Sequence, residues 1–205
     1  MKSASSILWL VRSGESSWQR ENRLQGAADL PLSAEGRAAL ITELAQFGPG
    51  AAEGVVVAVH HPSDEGARET ATILAKAVGG KVRLTEELSD PDLGLLGGLT
   101  MDLFAERFPS RHRQWEDEPL SLVPPEGEAF EHARGRILDA LGSLARRYRG
   151  KEFAVILHPL ALGFVRCALA NRSPRDLWRM LEGRPRLERY LLPADAEDRL
   201  LQDVE

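Results

Sequence analysis

Three short apolar runs, at residues 7–11, 55–59 and 153–157, recur along the chain, and each passes through a polar turn into a longer helical pattern. Runs of about five residues are too short for buried helices and fit strands covered on both faces. Strands that alternate with helices need crossover connections, and crossovers give a mostly parallel sheet. The first helical pattern follows Ser33, a hydroxyl suited to an N-cap, and carries Ala38, Leu40, Ile41, Leu44 and Ala45 before Gly48-Pro49-Gly50 stops it. A second covers 68–78 and ends at Gly79-Gly80, and a third covers 130–147 with Ile137, Leu138, Leu141 and Leu144 on one face. A fourth covers 160–168. Residues 82–84 read as a short edge strand and 187–192 as the last strand, and the acidic end beyond Asp195 is expected to fray. Between the edge strand and the third helix, 86–128 holds scattered prolines and glycines and one helix near 101–108. It reads as an insertion, or lid, over the carboxyl edge of the sheet. The expected fold is α/β: a three-layer α/β/α sandwich on a mostly parallel, doubly wound sheet, in a single domain over 1–205.

Composition narrows the function. With 205 residues, 43% of them hydrophobic and 28% charged, the chain is long and apolar enough for one sizeable core. A net charge of −5 gives no electrostatic reason for nucleic acid or an anionic membrane as partner. Arg172, Arg175, Arg179, Arg184, Arg186 and Arg189 make the end locally basic, but Glu182 and Glu188 interrupt it, and a solvated face is the expectation. Cys167 is the single cysteine, so neither a disulfide within the chain nor a zinc ribbon can form. The apolar run after Ser6 is too short for a signal peptide, and no stretch has the length of a membrane span, so the expected location is cytoplasmic.

The first strand leads into Leu10-Val11-Arg12-Ser13-Gly14-Glu15-Ser16, followed by Asn22-Arg23-Leu24-Gln25-Gly26 and Asp29-Leu30-Pro31-Leu32-Ser33. The second strand leads into His60-His61-Pro62-Ser63-Asp64-Glu65-Gly66-Ala67-Arg68-Glu69-Thr70-Ala71, and the third into Leu157-His158-Pro159-Leu160. Between them lie Leu88-Ser89-Asp90-Pro91-Asp92-Leu93-Gly94 and Gly97-Gly98-Leu99-Thr100. Taken together these segments resemble the histidine phosphatase superfamily, which includes the phosphoglycerate mutases, across most of the chain. The resemblance implies that Arg12 and Asn22 contact a phosphoryl group, that His158 is the second catalytic histidine, and that Asp90 stands at the proton donor's position. It also marks departures. Ser13 occupies the place of the nucleophilic histidine, Gly66 that of the second phosphate-binding arginine, and Gly97 that of a second glutamate. Pro159 replaces a glycine and removes a backbone N–H.

Phosphoryl transfer depends on positioning and on neutralising charge at the equatorial oxygens, so losing a single donor costs roughly a hundred- to a thousand-fold. Three functions are compatible with these residues. The first, favoured by the four changes, is a degenerate histidine phosphatase-like protein that binds a phosphorylated small molecule or a protein partner. The second is an active phosphomonoesterase or phosphoglycerate mutase-like enzyme in which His158 activates Ser13. The third is a metal-assisted enzyme using His158, Asp90 and one of His60 or His61, since adjacent strand residues face opposite ways. Neither of the first two requires a cofactor, and the expected metal content is none. Family likeness alone would allow a homodimer.

Overall fold

The computed structural model describes residues 5–45 and 56–193. Its five-stranded sheet comprises β1 (Ser6–Arg12), β2 (Val56–His61), β3 (Lys81–Leu84), β4 (Glu152–Leu157) and β5 (Leu187–Leu192), in the spatial order β3-β2-β4-β1-β5. The first four strands are parallel, and β5 alone runs antiparallel, against β1. The helices are α1 (Ser17–Arg20), α2 (Ala34–Ala45), α3 (Glu65–Val78), α4 (Met101–Arg107), α5 (Pro109–Asp117), α6 (Phe130–Arg147) and α7 (Pro159–Leu169). Among the described residues no helix is long and apolar enough to cross a membrane.

Side-chain alternation explains the three layers. Leu8 and Leu10 of β1, with Phe153, Val155 and Leu157 of β4, pack on one face against α6 and α7. Trp9 and Val11, with Ala154 and Ile156, pack on the other face against Leu40 and Leu44 of α2 and Ala67, Ala71 and Leu74 of α3. In β2 the register shifts between Val56 and Ala58, and this bulge puts Val57 and Ala58 on the α6 side in succession. The same alternation then sends His60 toward the α6 layer, where it meets Tyr148. After β1 the chain crosses to the α2 layer, whereas after β4 it crosses to the α7 layer. The carboxyl ends of these neighbouring strands therefore flank a topological switch point, where open α/β sheets place ligands.

Most expected elements form within a residue or two, and the exceptions have local causes. The helix expected from 68 begins at Glu65, because Asp64 accepts the Ala67 N–H at 2.8 Å and caps it. Ser33 accepts the Gly36 N–H at 2.9 Å, as its N-cap role requires. The expected stop at Gly48-Pro49-Gly50, the start of the second strand at Val55 and the end beyond Asp195 lie outside the described residues.

The segment 86–128 holds two α-helices rather than one, and both pack into the main core. Trp115 of α5 stacks on Trp178 with centroids 4.5 Å apart, and meets Phe104 and Phe130 edge-on. Phe104, Phe130 and Leu122 are fully buried in the same cluster as β1 and β4. Replacing Phe104 by Ala is therefore expected to destabilise the whole protein by about 3–5 kcal/mol in a single urea transition. Separate melting of 86–128, with the sheet's stability unchanged, would contradict this packing.

Candidate functional site

The ends of β1 and β4 bring Ser13 and His158 side by side, with the Ser13 N–H donating to the Leu157 carbonyl at 2.9 Å. The amino end of α3 contributes Asp64, Gly66 and Thr70, and the loop before α4 contributes Asp90. Ser13, Asp64, Asp90 and His158 are all buried.

Hydrogen bonding decides what Ser13 can do. Thr70 donates its hydroxyl proton to the Gly66 carbonyl at 2.8 Å and accepts the Gly14 N–H at 3.0 Å. With that proton committed, the 3.4 Å contact between the Ser13 and Thr70 hydroxyls draws its proton from Ser13. It is a long, weak hydrogen bond, and it points the Ser13 proton at a hydroxyl rather than a base. His158 is paired elsewhere. Its Nε2 lies 2.9 Å from Asp64 Oδ1, while its Nδ1 is buried without a partner among the described residues. The expected Ser13–His158 pair is thus replaced by two separate pairs, Ser13–Thr70 and His158–Asp64.

Burial disfavours the His158 charge, but the hydrogen bond and charge of Asp64, with Asp90 behind it, outweigh burial and hold the imidazole above its ordinary value. Burial likewise opposes the Asp64 charge, and the His158 bond together with capping N–H groups holds that carboxyl below its ordinary value. Asp90 is the opposite case. Complete burial pushes it up to about 6, although His158 and two backbone N–H groups favour its ionised form. Those groups are the Ala161 N–H on Oδ1 at 2.7 Å and the Leu160 N–H on Oδ2 at 3.2 Å. Above about pH 6 Asp90 sits as an anion on the amino end of α7, where the partial positive charge of a helix start would otherwise hold a phosphate.

The vacancies marked by the sequence differ in kind. Gly66 is sealed: its N–H donates to the Leu30 carbonyl at 3.0 Å, and a Cβ there would lie 2.9 Å from that oxygen. An arginine cannot leave this position unless the Leu30 segment moves. Gly97, by contrast, lines an open cavity of about 290 Å³ with Trp18, Gln25, Asp92, Leu93 and Gly94. Pro159 occupies the first position of α7 and supplies no N–H. Asn22 is exposed in a left-handed turn (φ 53°) after α1, a conformation Asn tolerates, and makes no side-chain hydrogen bond among the described residues. Arg68 is exposed on α3.

Two expectations need correction. The metal reading fails on arrangement: among the described residues no three His, Cys, Asp or Glu side chains are grouped to hold an ion. His60 uses Nδ1 on Thr85 at 2.7 Å and Nε2 on Tyr148 at 3.0 Å, on the face away from Asp64. Burial, with Arg147 and Arg83 nearby, holds its imidazole down at about 4. His61 turns Nδ1 onto the Pro62 carbonyl at 2.6 Å. The arginine-rich end is not simply a solvated face either. Arg186 reaches the Ser13 carbonyl at 2.7 Å and Glu43 at 2.5 Å, beside the exposed Arg12. Sequence reasoning gave Arg186 no site role and, by starting the helix at 68, missed Asp64 as its N-cap.

The raised His158 value and the lowered Asp64 value set a sign. The stability His158 contributes is complete below pH 6.5 and lost as pH rises through its raised value; that of Asp64 is complete above pH 3.8 and lost as pH falls through its lowered one. In an imidazole ¹⁵N NMR titration, His158 is expected to stay protonated above pH 6.5, and Asp64→Asn to move its titration downward. A His158 that titrates below 6.5 in the parent protein would break the assigned pairing.

Comparison with known proteins agrees with this architecture. The family model described as histidine phosphatase superfamily (branch 1) matches residues 8–185. The probable phosphoglycerate mutase GpmB of Citrobacter koseri is 32% identical over 158 residues, which cover 76% of this chain and 71% of that protein. The structure of Bacillus stearothermophilus YhfR superposes with a TM-score of 0.76 at 27% identity, covering 88% of this chain and 85% of that one. A mycobacterial glucosyl-3-phosphoglycerate phosphatase shares the fold at a TM-score of 0.70 and 20% identity, covering 84% of this chain and 83% of the other. The chain belongs to the histidine phosphatase superfamily.

Proposed function

We propose that this chain is a degenerate histidine phosphatase that lacks phosphohistidine-based catalysis and acts by binding a phosphorylated ligand. The observation that carries this reading is Asp90, whose two oxygens accept the Leu160 and Ala161 N–H groups that would otherwise face an anion. A phosphoryl group entering that seat must displace a buried carboxylate or approach it against like charge. Ser13 adds a second argument. A serine nucleophile needs an adjacent base, and Ser13 is hydrogen-bonded to Thr70 while His158 is hydrogen-bonded to Asp64. The active phosphomonoesterase reading is therefore not favoured. A phosphorylated ligand is supported by Arg12, exposed at the end of β1 with no side-chain hydrogen bond or ion pair among the described residues. The phosphate ester in the name of the mycobacterial phosphatase fits the same ligand class.

Hydrolysis of p-nitrophenyl phosphate is expected to stay at background from about pH 5 to pH 8 in the parent protein, in Ser13→Ala and in His158→Ala. Ser13→His is expected to remain inactive as well, because Gly66 still lacks the second guanidinium and Asp90 still caps α7. A parent rate above background that either alanine variant removes would overturn the reading.

A further inference from the structure

We infer that the anion seat has moved to the β1–β5 edge, where Arg186 supplies the second guanidinium missing at Gly66 and holds a phosphate monoester dianion together with Arg12. This deepens the binding function proposed above and rests on it.

The strand ladder places the two arginines together. Val11 pairs with Leu187 across β1 and β5, and the next rung continues with the Arg12 N–H donating to the Arg186 carbonyl at 2.8 Å. The two guanidiniums are close enough to repel each other, and like charges so placed destabilise one another. Arg166 adds a third positive charge near Arg12.

These cations are not compensated equally. Arg166 is buried and bonded to Glu188 and to the Met180 and Pro185 carbonyls. Arg186 is anchored at both sides of its fork, with Nε on Glu43 at 2.5 Å and Nη1 on the Ser13 carbonyl at 2.7 Å. Its Nη2 makes no hydrogen bond among the described residues. Arg12 has no carboxylate bonded to it there, although Glu15 and Glu43 lie near enough to temper its charge. The result is one guanidinium fixed in place beside one that is uncompensated and exposed. An anion with oxygens on several sides can accept from the Arg12 fork and from Arg186 Nη2 together, and the fixed, planar guanidinium directs its N–H groups more closely than an ammonium does. The older seats are closed: Asp90 occupies the start of α7, and the Leu30 carbonyl blocks the space above Gly66.

Calorimetric titration of the full chain with inorganic phosphate at low salt tests this, with Arg12→Gln, Arg186→Gln and Arg186→Lys alongside, each variant also melted and assayed on p-nitrophenyl phosphate. The expected result is binding without turnover, weakened about tenfold or more by Arg12→Gln and by Arg186→Gln and partly restored in Arg186→Lys. Both Arg186 variants lose the Nη1 bond to the Ser13 carbonyl, and their melting temperatures separate a loss of stability from a loss of affinity. Parent-like binding by Arg186→Gln would overturn the inference, as would equal weakness of the Lys and Gln variants or no phosphate binding by the parent protein. None of these outcomes touches the absence of catalysis. Turnover by the parent protein would instead sink the proposed function.

Discussion

At the carboxyl ends of β2 and β4 the starts of two helices are joined by a buried pair, Asp64 with His158, and the site is organised around it. Asp64 joins the start of α3 to the start of α7, because the same Oδ1 accepts the Ala67 N–H and meets His158 Nε2. A buried charge left alone would cost several kcal/mol, so each member of the pair keeps the other ionised. The His158 charge in turn favours ionised Asp90, which accepts the first available N–H groups of α7. Two helix starts and one loop are thereby tied together by a linked set of charges.

That arrangement draws on the physics of a phosphoryl site. Phosphoryl transfer calls for N–H groups and cations aimed at an incoming dianion. Here the carboxylates of Asp64 and Asp90 accept from the imidazole and the helix N–H groups, and the Leu30 carbonyl takes the space beside Gly66. A preorganised positive site with no substrate is under strain from its own repulsion. Carboxylates from the same chain relieve that repulsion.

The strands and long helices were legible in the sequence because their signals are local. The period at 137–144 placed α6 at Phe130–Arg147, and β5 lies at Leu187–Leu192 as expected. Helix α5 was missed because only Trp115 is buried along it, so it carries little apolar periodicity. The motif around Ser13 located the crevice, and His158 and Asp90 do converge there. What each does there was not legible. Asp90 meets α7 across 70 residues of sequence, and Arg186 meets Ser13 across 173, distances at which no spacing rule operates. Arg186 was further hidden by the arginine-rich run that surrounds it. His60 and His61 were read by chemistry alone, and the bulge in β2 together with Tyr148 gives His60 a structural partner.

The most direct test of the account is a crystal structure of the protein soaked with vanadate, which mimics a phosphoryl group in transfer. The account predicts an ion between Arg12 and Arg186, with Asp90 still accepting the Leu160 and Ala161 N–H groups and Ser13 still hydrogen-bonded to Thr70. Vanadium bonded to Ser13 Oγ, with Asp90 driven off the start of α7, would contradict it.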